Sequence, residues 1–357
     1  MAYDFLIIGG GIAGVSAAAH LAPLGSVCLL EGESALGYHA TGRSAAMYLR
    51  DYGNDVVRAL NYASEEHHRT ANGGVLSPRG LLSLARAQDG AAFEADLAGL
   101  GMAEISLSEA IDMFPILNLE TTTRAAYLAE APDIDTDWML QNFLKKARGQ
   151  GAEVVCNASV SDIRKDGKWR VQAGGAEYSA RILVNAAGPW VDSIAHMAGA
   201  EPLGFQPYRR SMVRIPAPDG HDLRNWPMTH GAGDRWYAKP DAGAWMISPG
   251  EEDPMPPHDA WADDMVLAEG IARYQEMVTP EVTRLETSWA GLRTFAPDHS
   301  LVIGFDRVVA DFFWLGGQGG YGFQTAPAVA QLVGELIGGG DTSLDAFVIK
   351  ALSPDRF

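Results

Sequence analysis

The stretch Tyr3-Asp-Phe-Leu-Ile-Ile-Gly-Gly-Gly-Ile-Ala-Gly14 places an apolar run directly before glycines at G-x-G-x-x-G spacing. The run 5–8 is typical of a buried strand, and the residues 12–21 predict a helix. A second apolar run, 27–30, ends on Glu31, seventeen residues after Gly14. This order of strand, glycine turn, helix, strand and acid predicts a dinucleotide-binding unit.

Each part of this unit has a chemical reason. Gly9 permits the tight turn, Gly11 lets the backbone approach a pyrophosphate, and Gly14 lets helix and strand pack closely. The free N–H groups and the positive dipole end of the helix favour phosphate. Glu31 is positioned to accept hydrogen bonds from ribose hydroxyls, and its charge would repel the 2′-phosphate of a phosphorylated nicotinamide cofactor.

Composition limits the classes of protein. The 357 residues are 47% hydrophobic, which is enough for two domains or one large one, and the net charge is −18. Such a charge argues against nucleic acid and against anionic membrane surfaces as partners. We expect no signal peptide and no integral membrane segment. Cys28 and Cys156 show neither C-x-x-C nor metal-ligand spacing, so we predict a cytoplasmic protein without disulfides or metal.

Two further segments indicate a second nucleotide-facing region. Gly37-Tyr-His-Ala-Thr-Gly-Arg-Ser44 adds glycines, hydroxyls and an arginine shortly after the second strand. Gly316-Gly-Gln-Gly-Gly-Tyr-Gly322 predicts another glycine-rich helix N-terminus. A nicotinamide-binding Rossmann domain needs neither segment, so a nicotinamide-linked dehydrogenase is disfavoured.

The middle of the chain predicts mostly β structure. We expect a strand over 152–160, then a hairpin, and a buried strand that leads into Val184-Asn-Ala-Ala-Gly-Pro-Trp190. Residues 206–249 have an antiparallel pattern. A helix over 259–278 and a strand over 282–292 follow.

Four stretches resemble one family, the FAD-dependent D-amino-acid oxidase/dehydrogenase superfamily. They are the N-terminal fingerprint with Glu31, Val184–Trp190, Trp289-Ala-Gly-Leu-Arg-Thr-Phe-Ala-Pro-Asp298 and Gly316–Gly322. Within the superfamily the sequence looks most like the D-arginine dehydrogenases. That likeness is carried by Gly37–Ala46, Asp133-Ile-Asp-Thr-Asp137, Gln206-Pro-Tyr-Arg-Arg-Ser211, Trp226-Pro-Met228, Tyr237-Ala-Lys-Pro-Asp-Ala-Gly243 and Gln318–Gly322.

The resemblance implies an α/β fold. A Rossmann-type FAD-binding domain of the glutathione-reductase type would be interleaved with a mixed or antiparallel β-sheet substrate domain. We assign 1–74, 150–204 and 286–357 to the first domain and 75–149 and 205–285 to the second. Sarcosine oxidases attach flavin through a Cys near the segment that matches Ala296-Pro-Asp298, and no Cys follows Cys156. We therefore predict noncovalent FAD.

The resemblance also implies which residues contact FAD. They come from the fingerprint, the 41–45 segment, the strand ends and the second glycine-rich helix. The predicted set is Gly9, Gly11, Ile12, Ala13, Gly14, Glu31, Thr41, Gly42, Arg43, Ser44, Ala45, Val160, Ala187, Gly188, Trp190, Gly316, Gly319, Gly320, Tyr321, Gly322, Gln324 and Thr325.

The catalytic residues follow from the same resemblance. Arg293 matches the arginine that binds the substrate carboxylate, a task suited to a bidentate guanidinium. Strand alternation places only one of Arg209 and Arg210 on the flavin side, and the family pattern selects Arg210. Tyr52 and Tyr237 match pocket tyrosines. Gly320 would offer its carbonyl to the substrate amine, while the helix start after it would stabilise negative charge on the flavin.

The departures from the D-arginine dehydrogenase pattern concern the substrate pocket. Met47 stands where that group has an active-site His, and a thioether cannot move a proton at neutral pH. Leu81 stands where it has the Glu that anchors the guanidinium. A guanidinium buried without a carboxylate would cost several kcal/mol. With Met228 and His230 completing the pocket, we predict a neutral, apolar or aromatic substrate side chain.

The predicted reaction is oxidative deamination of a D-amino acid. A hydride would pass from Cα to flavin N5, and the imine would hydrolyse to a 2-oxo acid and ammonia. Alternatives are an N-methyl or cyclic amino acid, a 2-hydroxy acid, or a non-catalytic FAD-binding subunit of a larger complex. The electron acceptor is left open among oxygen, a quinone and a protein. A quinone in a membrane would require only peripheral contact.

Overall fold

Two large β-sheets organise the chain, which the computed structural model describes over residues 2–218 and 220–357. Within these residues the strands, numbered in chain order, are β1 Ala2–Ile8, β2 Val27–Leu30, β3 Leu76–Ser77, β4 Leu81–Ala85, β5 Ala103–Ile105, β6 Arg124–Leu128, β7 Asp133–Ile134, β8 Glu153–Val155, β9 Val160–Asp166, β10 Lys168–Ala173, β11 Ala176–Asn185, β12 Gln206–Ile215, β13 Met228–Gly231, β14 Trp236–Asp241, β15 Ala244–Ser248, β16 Asp253–Pro254, β17 Thr287–Phe295, β18 Val302–Phe305 and β19 Phe312–Gly316.

The α-helices of the described residues cover the faces of these sheets. They are α1 Ile12–Leu21, α2 Asp55–Thr70, α3 Gly90–Leu100, α4 Leu107–Met113, α5 Thr136–Gly149, α6 Val191–Met197, α7 Asp264–Gln275, α8 Gly322–Gly338 and α9 Ala346–Leu352.

The first sheet has the order β18-β19-β11-β1-β2-β8, and its central strands are parallel. β9 and β10 extend it as an antiparallel hairpin beside β11. The last four residues of β1 are buried, as a central parallel strand covered on both faces requires. Helices α1, α2, α5 and α8 pack on one face around residues such as Val15, Leu29 and Phe313.

The second sheet has the order β16-β12-β15-β14-β13-β4-β6-β5, with β17 paired to β12. It is antiparallel except for the pair β4 and β13, in which Leu81 lies beside Met228. Trp236, Trp245 and Phe114 fill the core on the face that α4 and α7 cover. The predicted α/β fold with a parallel nucleotide-type sheet and a mixed substrate-type sheet is confirmed.

Gly14 shows why the fingerprint requires glycine. A Cβ there would lie 1.9 Å from the Gly9 carbonyl oxygen, so α1 could not pack on β1. Gly9 itself has φ +109°, a conformation that other residues rarely adopt. Both observations agree with the roles that the sequence predicts for these positions.

Three predicted elements differ from the structure. The 259–278 helix is shorter because the Asp263 side chain accepts from the N–H groups of Met265 and Val266, so α7 begins at Asp264. The 152–160 strand stops at Val155, and Asn157 turns with φ +55° so that its N–H reaches the Glu33 carbonyl. The 282–292 strand is shifted to Thr287–Phe295, where it pairs with β12 along its length.

The domain division stays a prediction, and one strand bears on its boundaries. β17 falls within the predicted FAD-binding segment 286–357, yet it pairs with β12 of the second sheet. The first sheet resumes only at β18. A boundary after Phe295 would therefore keep each sheet intact.

Candidate active site

A cavity of about 400 Å³ lies between the two sheets. The first sheet contributes the turns after β1 and β11, and the second contributes β4, β12, β13, β14 and β17. The N-termini of α1 and α8 also border it, through Gly11 to Ala13 and Gly322 to Gln324. The cavity therefore joins a nucleotide-type surface to a substrate-type surface.

Both helix N-termini are open to an anion. Neither Gly11 before α1 nor Tyr321 before α8 supplies a side-chain cap. The Ile12 N–H donates to Thr41 Oγ1 at 3.0 Å, and this bond fixes the 41–44 segment against the start of α1. The remaining first-turn N–H groups and the helix dipoles favour negative charge at the cavity.

Glu31 lies at the carboxyl end of β2 and is held from two sides. Its Oε2 accepts from the Gly10 N–H at 2.7 Å, and its Oε1 accepts from the Glu33 N–H at 2.8 Å. These bonds fix the carboxylate beside the glycine turn. Contact with a ribose stays a prediction.

Arg43 lines the cavity, but its guanidinium forms its hydrogen bonds with other groups of the protein. Nη2 lies 2.6 Å from Asp259 Oδ1, Nη1 donates to the carbonyls of Ala260 and Ala290 at 2.9 Å each, and Nε donates to the Tyr38 carbonyl. The side chain thus ties the 38–43 segment to the second sheet. A contact between Arg43 and FAD would come from its backbone.

Apart from Arg43, the predicted cofactor residues divide into two groups. Those that line the cavity are Gly11, Ile12, Ala13, Thr41, Ser44, Ala45, Gly188, Gly319, Gly320, Gly322 and Gln324. Those that lie outside its lining are Gly9, Gly14, Glu31, Gly42, Val160, Ala187, Trp190, Gly316, Tyr321 and Thr325.

Members of the outer group support the cavity or lie at its edges. The Gly42 N–H donates to the Gly37 carbonyl at 2.7 Å, and the Trp190 ring packs on His39 with centroids 4.8 Å apart. Thr325 Oγ1 donates to the Tyr321 carbonyl at the start of α8. Contacts between these residues and a cofactor stay predictions.

The cavity fits a flavin dinucleotide. The side-chain nitrogens of Gln318 and Gln324 are buried without a hydrogen-bond partner, and both residues line the cavity. Buried polar groups of this kind are normally paired, so the site suits a ligand with acceptor atoms. Sequence reasoning did not single out Gln318, although it lies within the glycine-rich segment.

Arg210 and Arg293 lie on neighbouring strands. Arg210 of β12 is opposite Gly291, and Arg293 of β17 is opposite Tyr208, so both side chains extend from the same face of the sheet. Both line the cavity, whereas the neighbouring Arg209 pairs with Asp253 at 2.7 Å. Strand alternation thus separates the two consecutive arginines.

One carboxylate lies beside both guanidiniums. Arg210 Nη2 donates to Glu252 Oε1 at 2.8 Å, and Arg293 Nη1 is 3.9 Å from the same oxygen. The Glu252 side chain is half exposed. No spacing signal in the sequence indicated this partner, because Glu252 follows β15 in an irregular loop.

The Arg293 guanidinium keeps its charge in this setting. Burial acts to lower its pKa, but interactions with Tyr237 and Tyr52, and then with nearby carboxylates, outweigh burial and raise the pKa above its ordinary value. Burial also raises the pKa of Tyr52, so this phenol stays protonated. The cavity therefore presents the fixed positive charge of Arg293 beside the protonated phenol of Tyr52.

The two predicted tyrosines flank these cations. The Tyr52 ring contacts the Tyr321 ring with centroids 5.3 Å apart. The Tyr237 hydroxyl is 3.6 Å from Met212 Sδ, and the Arg210 guanidinium lies 5.9 Å from the Tyr237 ring centroid. Gly320 leaves the Arg293 guanidinium room, since a Cβ there would lie 3.3 Å from Cζ.

The end of the cavity beside β4 and β13 is mainly apolar. Leu81 is 3% exposed and packs with Met47 and Met228, and all three line the cavity. His230 interrupts this wall and is also 3% exposed. Neither of its ring nitrogens has a hydrogen-bond partner.

One supporting ion cluster was not predicted from the sequence. Lys239 pairs with Asp133 and donates to the Ala45 carbonyl at 3.0 Å, while Arg79 pairs with the other Asp133 oxygen. Met47 forms a β-bridge with Asp133. The cluster fixes the 45–47 segment where it borders the cavity.

The chain belongs to the family of FAD-dependent oxidoreductases described as DAO, whose model matches residues 4–336. FAD is accordingly its cofactor, in agreement with the fit of the cavity. No helix in the described part of the chain is long and apolar enough to cross a membrane.

Curated relatives match the chain at low identity. Human mitochondrial dimethylglycine dehydrogenase is 26% identical over 390 residues, which cover 99% of this chain and 44% of that protein. The chain therefore spans less than half of that relative's length. The L-2-hydroxyglutarate dehydrogenase of Escherichia coli K12 is 28% identical over 246 residues. The aligned region covers 62% of this chain and 56% of that protein.

Solved structures share the fold. Glycine oxidase from Geobacillus kaustophilus superposes with a TM-score of 0.84 at 22% identity and covers 100% of this chain and 99% of its own. L-proline dehydrogenase from P. horikoshii gives 0.83 at 24% identity, with 99% and 97% covered. L-α-glycerophosphate oxidase from Mycoplasma pneumoniae, a structure with FAD bound, gives 0.83 at 18% identity, with 97% of each chain covered.

Proposed function

We propose that the protein oxidatively deaminates a D-amino acid with a neutral side chain. One observation carries the proposal. Arg210 and Arg293 place two guanidiniums on one sheet face, in the same cavity as the helix N-termini that fit FAD. A substrate held there by its carboxylate would present Cα toward the cofactor.

The substrate carboxylate would bind to Arg293. Its planar guanidinium can donate two parallel hydrogen bonds, and Arg210 adds charge from the neighbouring strand. Glu252 now accepts from Arg210, so carboxylate binding would draw on the guanidinium atoms that Glu252 leaves free. Such charged contacts, removed from water, hold the reacting carbon in one orientation.

The remaining groups would orient the substrate and stabilise the negative charge that develops on the cofactor. Bound FAD would supply the oxidising power by taking the hydride from Cα, while the amine nitrogen loses a proton to give the imine. The Tyr52 and Tyr237 phenols would complete the carboxylate and amine contacts, and the Gly320 carbonyl would accept from the amine. The N-terminus of α8 would stabilise the negative charge on the reduced cofactor. The released imine would hydrolyse in solution to a 2-oxo acid and ammonia.

The neutral side chain is inferred from the apolar wall. Leu81 lies among Met47, Met228 and Leu128, where a guanidinium would find no carboxylate at the Leu81 position. The likeness to D-arginine dehydrogenases in the 37–46 and 206–211 segments supports the D configuration, whereas Leu81 and Met47 argue against arginine as the substrate.

The relatives favour a second candidate, which is oxidation of an N-methylated or cyclic amino acid, or of a 2-hydroxy acid. Dimethylglycine, L-proline and L-2-hydroxyglutarate appear in the names of proteins that this chain resembles. Met47 supports this candidate because no imidazole stands at that position to hydrogen-bond a primary amine. A non-catalytic FAD-binding subunit is less well supported, because it has no need of Arg210 and Arg293.

Substitution of Arg293 tests the proposal. Arg293→Met should lower the ratio of the rate constant to the Kd in anaerobic flavin reduction by about thirtyfold or more, because a buried charged contact is worth roughly 2–5 kcal/mol. Arg293→Lys should recover part of the loss. Arg209→Lys on the same strand is the matched control and should change the value little. Unchanged reduction in Arg293→Met would reject the proposed carboxylate site.

A further inference from the structure

We infer that His230 selects substrates whose side chain ends in an N–H or O–H donor, an inference that rests on the proposed function. His230 is 3% exposed and lines the cavity, yet neither ring nitrogen has a hydrogen-bond partner. Buried imidazole nitrogens are normally hydrogen-bonded, and an unpaired one destabilises the fold. A ligand in the cavity is a partner that would restore the missing bond.

The position of His230 in the sheet fits the far end of a substrate. Arg210 is on β12, and the strands β15 and β14 separate β12 from β13. Three strand spacings place the two backbones roughly 14 Å apart. The Arg210 side chain bridges part of that distance, since it reaches the Tyr237 ring on β14. The distance that remains between the carboxylate site and His230 is therefore about the length of one amino-acid side chain.

The neighbours of His230 indicate which nitrogen is free. On β13, Met228 and His230 share a face, and His230 is paired with Tyr237 across β14. Nδ1 faces Asp234 with a separation of 3.8 Å from Oδ1. A carboxylate on that side favours the tautomer with hydrogen on Nδ1. Nε2 then has a lone pair that can accept a hydrogen bond from a ligand.

The surrounding charge supports a donor on the ligand. Asp51, Asp96 and Asp234 line the same cavity, with Arg58 as the neighbouring cation. Asp96 is held by the Gly233 N–H and Ser83. These carboxylates line the same cavity as the apolar wall of Leu81, Met47 and Met228, and they would disfavour a second carboxylate on the substrate. Leu81 and Met228 beside His230 favour an otherwise apolar side chain, as in an aromatic residue with one donor.

Matched substrate pairs test the inference. D-tyrosine differs from D-phenylalanine by one hydroxyl, and D-tryptophan differs from its N1-methyl derivative by one N–H donor. In the wild-type holoenzyme, anaerobic flavin reduction should favour the donor member of each pair by about tenfold in rate constant over Kd. His230→Leu should reduce the ratio to near one, and His230→Gln, which keeps an acceptor, should restore part of it. A ratio that His230→Leu leaves unchanged would overturn the inference.

A binding measurement separates this inference from the proposed function. The Kd values of 4-hydroxyphenylacetate and phenylacetate are measured from the flavin absorption change in wild type and His230→Leu. If no amino acid reduces the flavin but His230→Leu abolishes a preference for the hydroxylated ligand, the proposed deamination fails and the His230 site stands. If both aromatic D-amino acids are oxidised and neither ratio responds to His230→Leu, the deamination stands and the His230 site fails.

Discussion

Arg209 and Arg210 follow one another on β12, yet their side chains lie in different surroundings. Arg210 faces the cavity, and Arg209 pairs with Asp253 on the other side. The period of two in a strand predicts that only one of them faces the cofactor. The family resemblance was needed to choose which one, because the side of the sheet that faces FAD depends on how the sheets pack.

Leu81 carries the prediction about substrate charge. Leu81→Glu should raise the ratio of kcat/KM for D-arginine over D-methionine at least tenfold, because a carboxylate at the apolar wall would pair with the guanidinium. Leu81→Gln is the control of matched size without charge and should leave the ratio near the wild-type value. Steady-state kinetics on both substrates measures this. No gain in Leu81→Glu would contradict the inference that the apolar wall at Leu81 excludes a cationic side chain.

Some residues of the site could not be predicted from the sequence. Glu252 and Asp133 are distant in sequence from the arginine and lysine that they pair with, and no motif spacing links them. Likewise, the unpaired nitrogens of His230 are visible only once β13 is placed beside β14. Pairings of this kind depend on tertiary structure, whereas Arg293 and Glu31 lie in recognisable motifs.

At the scale of elements, periodicity and glycine-rich turns located the two helices whose N-termini border the cavity. The predicted 12–21 helix has the bounds of α1, and the Gly316–Gly322 segment leads into α8 as predicted. β13 was not predicted as a separate strand because Thr229, His230 and Gly231 lack the alternating pattern of a strand. They form a strand in the structure because they pair with both β4 and β14. Tertiary pairing here overrides local propensity.

The close contact between α1 and β1 at Gly14 allows the nucleotide site to be tested by substitution. Gly14→Ala would place a Cβ 1.9 Å from the Gly9 carbonyl oxygen, so the helix must move off the strand. We expect FAD affinity to fall at least tenfold, because the start of α1 would no longer be fixed beside Thr41. Titration of the apoprotein with FAD measures this. The control Gly90→Ala adds a Cβ that meets nothing within 4 Å, and equal affinity in both variants would contradict the argument.

For the whole molecule, the two sheets explain why the chain passes through the nucleotide-type sheet three times. β1, β11 and β19 of the first sheet lie far apart in sequence but are neighbours in space. The substrate sheet is inserted between these visits. The interleaved fold could be predicted because each passage contributes a motif, at Gly9, Asn185 and Gly316, to the family resemblance that implies this fold. The boundary near β17 could not, since the strand continues into the nucleotide segment.

Attachment of the cofactor is also a property of the whole chain. Cys28 is buried in β2, where burial raises the pKa of its thiol to about 12, and burial also raises the pKa of Cys156. Neither lines the cavity. We therefore expect flavin to remain in the supernatant after acid precipitation of the holoprotein. An absorbance spectrum of supernatant and pellet measures this, and flavin retained in the pellet would contradict noncovalent binding.

The central claim, that the cavity deaminates neutral D-amino acids, is tested most directly by anaerobic reduction of the bound flavin. The panel contains D- and L-forms of methionine, phenylalanine, tyrosine and arginine, with N-methyl amino acids, L-proline and 2-hydroxy acids. We predict fast bleaching by the neutral D-forms and little by L-forms or D-arginine. Bleaching only by secondary amines or 2-hydroxy acids would contradict the claim, as would a flavin that dithionite alone can reduce.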